Sequence, residues 1–254
     1  MIEDFKSLVV RNEGPVLMVQ LNSPETGNAL SEMVLDELLT VLGVVSQQPG
    51  IRVVILSGAG DDFCLGADRR EFAESLAADP TGRGLRVLGT KARQVCDALA
   101  TTEAVTVARL HGGVIGAGIG LALFCDLRAG ADNCRFRLPE SALGVPPAWG
   151  GVLPRLIHEA GAARVRELIL TASNFDAATA RELSILHTVV PEDELDAAVA
   201  RWTRPLVRRS PSALRTAKVM MNAYGNAHRL ADATLFDAEL LSSALSLGQQ
   251  ARQG

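Results

Sequence analysis

The chain has 254 residues, 48% of them hydrophobic, enough for one sizeable core. The net charge is −4, Lys and Arg are scattered, and aromatics make up only 4%, which argues against a nucleic-acid footprint and against base-stacking platforms. No apolar run approaches the roughly 20 residues that span a bilayer, and the acidic start MIEDFKSLVVRNEG lacks the apolar stretch of a signal peptide, so a cytoplasmic protein without membrane contact is expected.

In chain order, SLVVRNEGPVLMVQLN reads as two short strands around a turn at Gly14 and Pro15. SEMVLDELLTVLGVVSQ reads as a helix, with Ser31 as N-cap and Leu35, Leu38, Leu39, Leu42 and Val45 at helical spacing. IRVVILSG is a continuous β-branched run, as in a strand buried on both faces of a parallel sheet. Residues 73–84, AESLAADPTGRG, read as a flexible loop because Pro and Gly punctuate them. RGLRVLGTKARQVCDALAT reads as a helix, AVTVARLHG as a buried strand, and the apolar run from Ile119 to Phe124 as a helix opened by glycines. DLRAGADNCRFRLPE reads as short strands and turns. Alternating strands and helices predict an α/β fold with crossover connections.

Beyond about residue 155 the pattern is mostly helical, through AARVRELILTA, DAATARELSI, EDELDAAVARWTRPLVRR, SPSALRTAKVMMNAYG and RLADATLFDAELLSSALSL. Asp176 and Ser210 are the expected N-caps, with Pro211 at a first helical position. The apolar stripe of this helical tail suits a neighbouring subunit. Cys64, Cys96, Cys125 and Cys134 form no CxxC pair and have no His at ligand spacing, so reduced thiols and no metal site are expected.

The densest glycine cluster is HGGVIGAGIGLALFCD, residues 111–126. It is not GxGxxG, it lacks the GK[ST] ending of a Walker loop, and it holds no GxSxG elbow. Backbone donation remains: a strand that breaks into a glycine turn and then a helix leaves N–H groups free to stabilise negative charge. A second donor needs a similar turn, and GAGDDFCLGADRREF, residues 58–72, supplies one after a buried strand. Two N–H groups converging on one oxygen form an oxyanion hole.

Taken together, LNSPETGNALS (21–31), VVILSGAGDDFCLGADRREF (53–72), GGVIGAGIGLALFCD (112–126) and FRLPESALGVPPAWGGVLPRL (136–156) resemble the crotonase, or enoyl-CoA hydratase/isomerase, superfamily. A weaker echo lies in ILTASNFDAATARELSILHTVVPEDEL (169–195). The resemblance implies a crotonase-type ββα spiral core over residues 1–198 and a helical C-terminal, oligomerising region over 199–254. It implies homotrimers or dimers of trimers. It also implies acyl thioesters of coenzyme A or acyl carrier protein as substrates, with the carrier's phosphopantetheine as part of the substrate and no other cofactor.

Carried over, the two oxyanion donors are Ala67 and Ala117, the latter where the family usually has glycine. Glu140 is the acid/base. The position of the family's other hydratase glutamate is Gly120, which can transfer no proton. The resemblance therefore favours an isomerase or a 3-hydroxyacyl dehydratase over a standard hydratase, with a non-catalytic acyl-CoA-binding or scaffold homologue as the alternative. Asp68, Arg70, Gly116, Gly118 and Lys218 are expected in substrate binding, with Arg69 beside them. Trp149 is expected as a wall of the acyl pocket, on a loop stiffened by Pro146 and Pro147. Ser23 stands where the family often has an Arg.

Overall fold

A computed structural model of the chain describes residues 5–226 and 236–253. Strands β1 (Leu8–Glu13) and β2 (Val16–Leu21) form an antiparallel hairpin about Gly14, whose φ of +66° suits a residue without a β-carbon. The chain then crosses over through α1 (Glu32–Gln47) to β3 (Val53–Gly58). Ser31 Oγ accepts from the Val34 N–H at the start of α1, and Val34, Leu35, Leu38, Leu42 and Val45 bury one face. All six β3 residues are buried, as the continuous apolar run predicts for a covered parallel strand.

The expected loop over residues 73–84 is mostly absent. Helix α2 (Arg69–Ala78) runs through AESLAA, where good helix formers bury Leu76. Only residues 79–82 turn, with Asp79 Oδ1 accepting from the Thr81 N–H and hydroxyl. Helix α3 (Arg83–Thr101) follows and packs on α1 and on α10 (Asp237–Gln253).

Strand β4 (Val105–Leu110) joins β3 in parallel, then come β5 (Gly113–Ile115), α4 (Ala117–Leu123), β6 (Leu127–Ala131) and β7 (Arg135–Arg137). The helices α5 (Val152–Ala160), α6 (Ala162–Thr171), α7 (Ala177–Glu182), α8 (Leu195–Leu206) and α9 (Pro211–Asn226) follow. Two short strands interrupt this helical part: β8 (Asn174–Asp176) and β9 (Thr188–Val190). At three residues each they carry too little periodicity to show in sequence. Asp176 and Ser210 cap α7 and α9 through the Thr179 and Ala213 N–H groups. Part of RLADATLFDAELLSSALSL lies outside the described residues.

The large sheet has the order β1-β2-β3-β4-β6-β9, parallel throughout except for the first pair. The small sheet has the order β5-β7-β8. Helix α8 runs unbroken across residue 198 and packs on β4 and β6. No described helix is long and apolar enough to cross a membrane.

Candidate active site

Two backbone turns meet beside the small sheet. In the first, Leu65 donates to Gly27 O and Asp68 donates to Leu30 O. These donors face the same way but lie three residues apart, whereas an extended chain repeats every two. The chain therefore turns over between them, and Gly66 takes up the reversal at φ +105°. In the second, β5 ends at Gly116, whose φ of +50° and ψ of −114° lie outside the reach of a residue with a β-carbon. Its N–H is tied to Arg137 O. A β-carbon on Gly66 would lie 3.2 Å from Ile115 O and 3.8 Å from Ala117 N, so the two turns touch.

Gly118 explains the last glycine of GAG. A β-carbon there would lie 2.4 Å from Cys64 O, so only glycine lets α4 settle against the first turn. Among the described residues, no protein acceptor is paired with the N–H of Ala67 or of Ala117. Ala117 opens α4, where the first N–H groups of a helix have no internal partner. Among the described residues the Ala67 and Ala117 N–H groups are thus left unpaired, on two turns that touch. Burial pushes the neighbouring Cys64 thiol up to about 12, so it is not a nucleophile in waiting.

Glu140 is delivered by the pairing of β5 with β7, in which Ile115 stands opposite Arg137. Three residues on, Glu140 begins a single 3₁₀ turn, and its carbonyl accepts from the Leu143 and Val145 N–H groups. Ser141 Oγ donates to Ile169 O and holds that turn against α6. A β-carbon on Gly116 would lie 3.3 Å from Glu140 Oε1, which puts the carboxyl beside the second donor turn. Glu140 Oε2 is buried without a hydrogen-bond partner among the described residues. Burial raises this carboxyl above its ordinary range, and its own backbone N–H opposes the shift only in part.

The carboxyl faces an apolar recess lined by Leu138, Trp149, Val152, Leu153, Leu156 and Ile169. Trp149 is only 7% exposed. Its ring lies 6.2 Å from that of Phe72, tilted by 35°. At Gly120, a β-carbon would lie 2.7 Å from Val152 Cγ2 and 3.5 Å from Trp149 Cδ1. Among the described residues, Glu140 is the one carboxyl lining this recess, and Val152 and Trp149 fill the space that a side chain at residue 120 would enter.

The expected binding residues divide. Asp68 Oδ1 accepts from the Arg70 N–H and caps α2. Burial pushes its carboxyl upward, but the Arg70 N–H and guanidinium outweigh this and hold it below its ordinary range. Arg69 and Arg70 are exposed in the first turn of α2, next to Ala67, with Arg70 also reaching back to Asp68 at 3.4 Å. Lys218 does not belong with them. It is 5% exposed, and its ammonium donates to Leu99 O, Ala104 O and Asp126 Oδ2, the last at 2.7 Å. Three short internal bonds fasten α9 to the core and leave this ammonium no free donor for a phosphate.

Sequence reasoning missed Phe72, Val152 and Asn28. Asn28 sits at φ +54° and donates to Ala59 O and Asp62 O, pinning the loop that leads into the first donor turn. Asparagine tolerates the left-handed region, so the GNA of LNSPETGNALS was the available signal. Phe72 and Val152 carried none, because an apolar residue on a helix reads as core. Among the described residues, no group of three or more His, Cys, Asp or Glu could hold a metal ion.

Known proteins match this chain over nearly its whole length. The sequence profile of the enoyl-CoA hydratase/isomerase family matches residues 11–253. The chain is similar to a short-chain-enoyl-CoA hydratase of Clostridium acetobutylicum, 31% identical over 97% of this chain and 92% of that protein. It is also similar to a probable enoyl-CoA hydratase of Mycobacterium bovis, 30% identical over 97% and 92%. Among solved structures, Pseudomonas aeruginosa AtuE superposes with a TM-score of 0.82 at 30% identity, over 86% of this chain and 83% of that one. With an α/β core of this topology, touching glycine turns and a profile match over residues 11–253, the chain belongs to the enoyl-CoA hydratase/isomerase family.

Proposed function

We propose that the protein moves a proton on unsaturated or 3-hydroxyacyl thioesters, with Glu140 as the single acid/base and the Ala67 and Ala117 N–H groups holding the enolate oxygen. The observation that carries this reading is the Glu140 carboxyl. It is buried, it has an unpartnered Oε2, and it lies against the Gly116 turn. Burial raises its pKa towards the range in which a base both takes and returns a proton near neutral pH. Residue 120, a glycine, supplies no second carboxylate.

In the isomerisation, Glu140 removes the α-proton of a 3-enoyl thioester and the electron pair moves onto the thioester oxygen, facing the two N–H groups. Collapse of the enolate shifts the double bond from β,γ to α,β, and Glu140 returns the proton to the γ-carbon. With a 3-hydroxyacyl thioester, the same α-proton removal is followed by loss of the β-hydroxyl as water, protonated by Glu140. Both routes use one carboxyl. Addition of water by two carboxyls does not fit this residue set.

The carrier, coenzyme A or acyl carrier protein, brings phosphates, and the exposed Arg69 and Arg70 beside Ala67 are the cations assigned to meet them. Val219, Met220, Met221 and Tyr224 on α9 are between 51% and 74% exposed. Apolar side chains in such a run favour burial by another copy, which supports residues 199–254 as the oligomerising region of a trimer or dimer of trimers.

The test is turnover of purified protein on 3-enoyl-CoA, crotonyl-CoA and 3-hydroxyacyl thioesters carried by coenzyme A or carrier protein. Isomerase or dehydratase turnover that is lost in Glu140→Gln is expected. Full activity of Glu140→Gln sinks the mechanism. Thioester binding without turnover on any of them makes the protein a non-catalytic acyl-CoA binder.

A further inference from the structure

The recess behind Glu140 is almost full. Its cavity volume, counted as the space open to the centre of a water molecule, is about 10 Å³, about the least that holds one water. Its floor and far side come from α5 and α6 through Val152, Leu153, Leu156 and Ile169, and the indole of Trp149 closes the side next to Gly120. On the enolate reading above, an acyl tail held at the two N–H groups extends past Glu140 into this space.

The loop that carries the indole is held on several sides. Ala148 N–H donates to Pro146 O and Val152 N–H donates to Trp149 O. Gly151 N–H donates to Asp237 Oδ2 on α10 at 3.0 Å. A β-carbon on Gly150 would lie 2.7 Å from Cys96 Sγ, so the loop presses on α3 without a spacer. Phe72 braces the ring from α2. With the loop held from α3 and α10 and the ring braced from α2, moving the indole aside to admit a longer chain would break packing or a hydrogen bond.

Resting on the enolate reading above, we propose that Trp149 determines specificity: seated on Gly120 and Val152, it restricts the site to short acyl groups. A glycine at 120 and a tryptophan at 149 belong to one device, since the first makes room for the second. The substrate class is then a short-chain acyl thioester whose reacting carbons lie at the N–H pair and Glu140, with no room for further methylenes.

The test uses full-length protein and compares a four-carbon with an eight-carbon substrate in whichever reaction turns over. It also compares binding of the two saturated acyl-CoA thioesters, which needs no chemistry. Wild type should favour the four-carbon member by about 100-fold in kcat/KM, on the scale at which pockets discriminate added methylenes. Trp149→Ala should narrow that ratio by at least about 10-fold, mainly through KM for the longer chain. Val152→Ala keeps the indole and opens the same seat, so a smaller shift in the same direction is expected even where Trp149→Ala folds poorly. Equal chain-length profiles in wild type and both variants, by kinetics and by binding, overturn the assignment. Short-chain-selective binding without turnover keeps the wall and removes the enolate mechanism, and no binding of either thioester removes both.

Discussion

Gly120 and Trp149 are packed face to face: a β-carbon on Gly120 would lie 3.5 Å from Trp149 Cδ1, with Val152 Cγ2 closer still at 2.7 Å. The room for a side chain at residue 120 has been given to an indole and a methyl group. Gly120→Glu alone should therefore lower stability by about 1–3 kcal/mol, the usual scale of an overpacked core, and should add no hydration of crotonyl-CoA beyond whatever the wild type shows. Combined with Trp149→Gly and Val152→Ala, it should cost less than the sum of the three single changes. Denaturant unfolding of the variants checks this, and an additive set of effects would show that the residues do not share one space.

Glu140→Gln should reduce turnover by about 10²–10⁴-fold, the range of a general acid/base. The same change should raise the melting temperature at neutral pH. Burial lifts the folded-state pKa of this carboxyl above its unfolded value. Between the two values the folded state binds more protons than the unfolded one, so stability falls as pH rises through that window. The glutamine variant escapes that fall. Its advantage should vanish at pH below the ordinary carboxylate range, and thermal melts across pH decide the point.

Activity should follow the same titration. A base works only when ionised, so kcat/KM should drop on the acid side at a pH above the ordinary glutamate value. A pH profile whose acid limb sits at that ordinary value would remove the link between burial of Glu140 and its role.

Ala117→Pro deletes one donor at the first residue of α4, a place where helices accept proline. A loss of about 10²–10³ in kcat is expected, the typical cost of one oxyanion-hole donor, with a near-normal melting temperature. Retained activity in a folded variant would show that this N–H does not face the reacting oxygen.

Lys218→Met should act on the fold and not on the substrate. It leaves the partly buried Asp126 carboxylate without its 2.7 Å partner, at a cost on the order of 3 kcal/mol. Once the lower stability is allowed for, KM for a coenzyme A thioester should be unchanged. A selective rise in KM would return Lys218 to the binding site.

Much of the fold could be read along the chain. The hairpin at Gly14, the Ser31 cap, the buried run of β3 and the span of α3 are local features, each carried by a few neighbouring residues with a fixed period or a turn preference. The donor turns were legible for the same reason, because positive φ at Gly66 and Gly116 and close approach at Gly118 can be met only by glycine. The segment 73–84 misled because Pro80 and Gly82 mark a turn without saying where the preceding helix ends. The strands β8 and β9 escaped because three residues hold no period.

The sequence by itself determined the order of the elements, the two glycine turns that present Ala67 and Ala117, and the presence of Glu140 in a family motif. Only the tertiary structure decided what each side chain meets. Lys218 finds Asp126 across 92 residues, and Trp149 comes from the loop before α5 to fill the space at Gly120. Contacts of this kind are set by how helices and sheets close on one another, and that packing leaves no periodic trace in the chain.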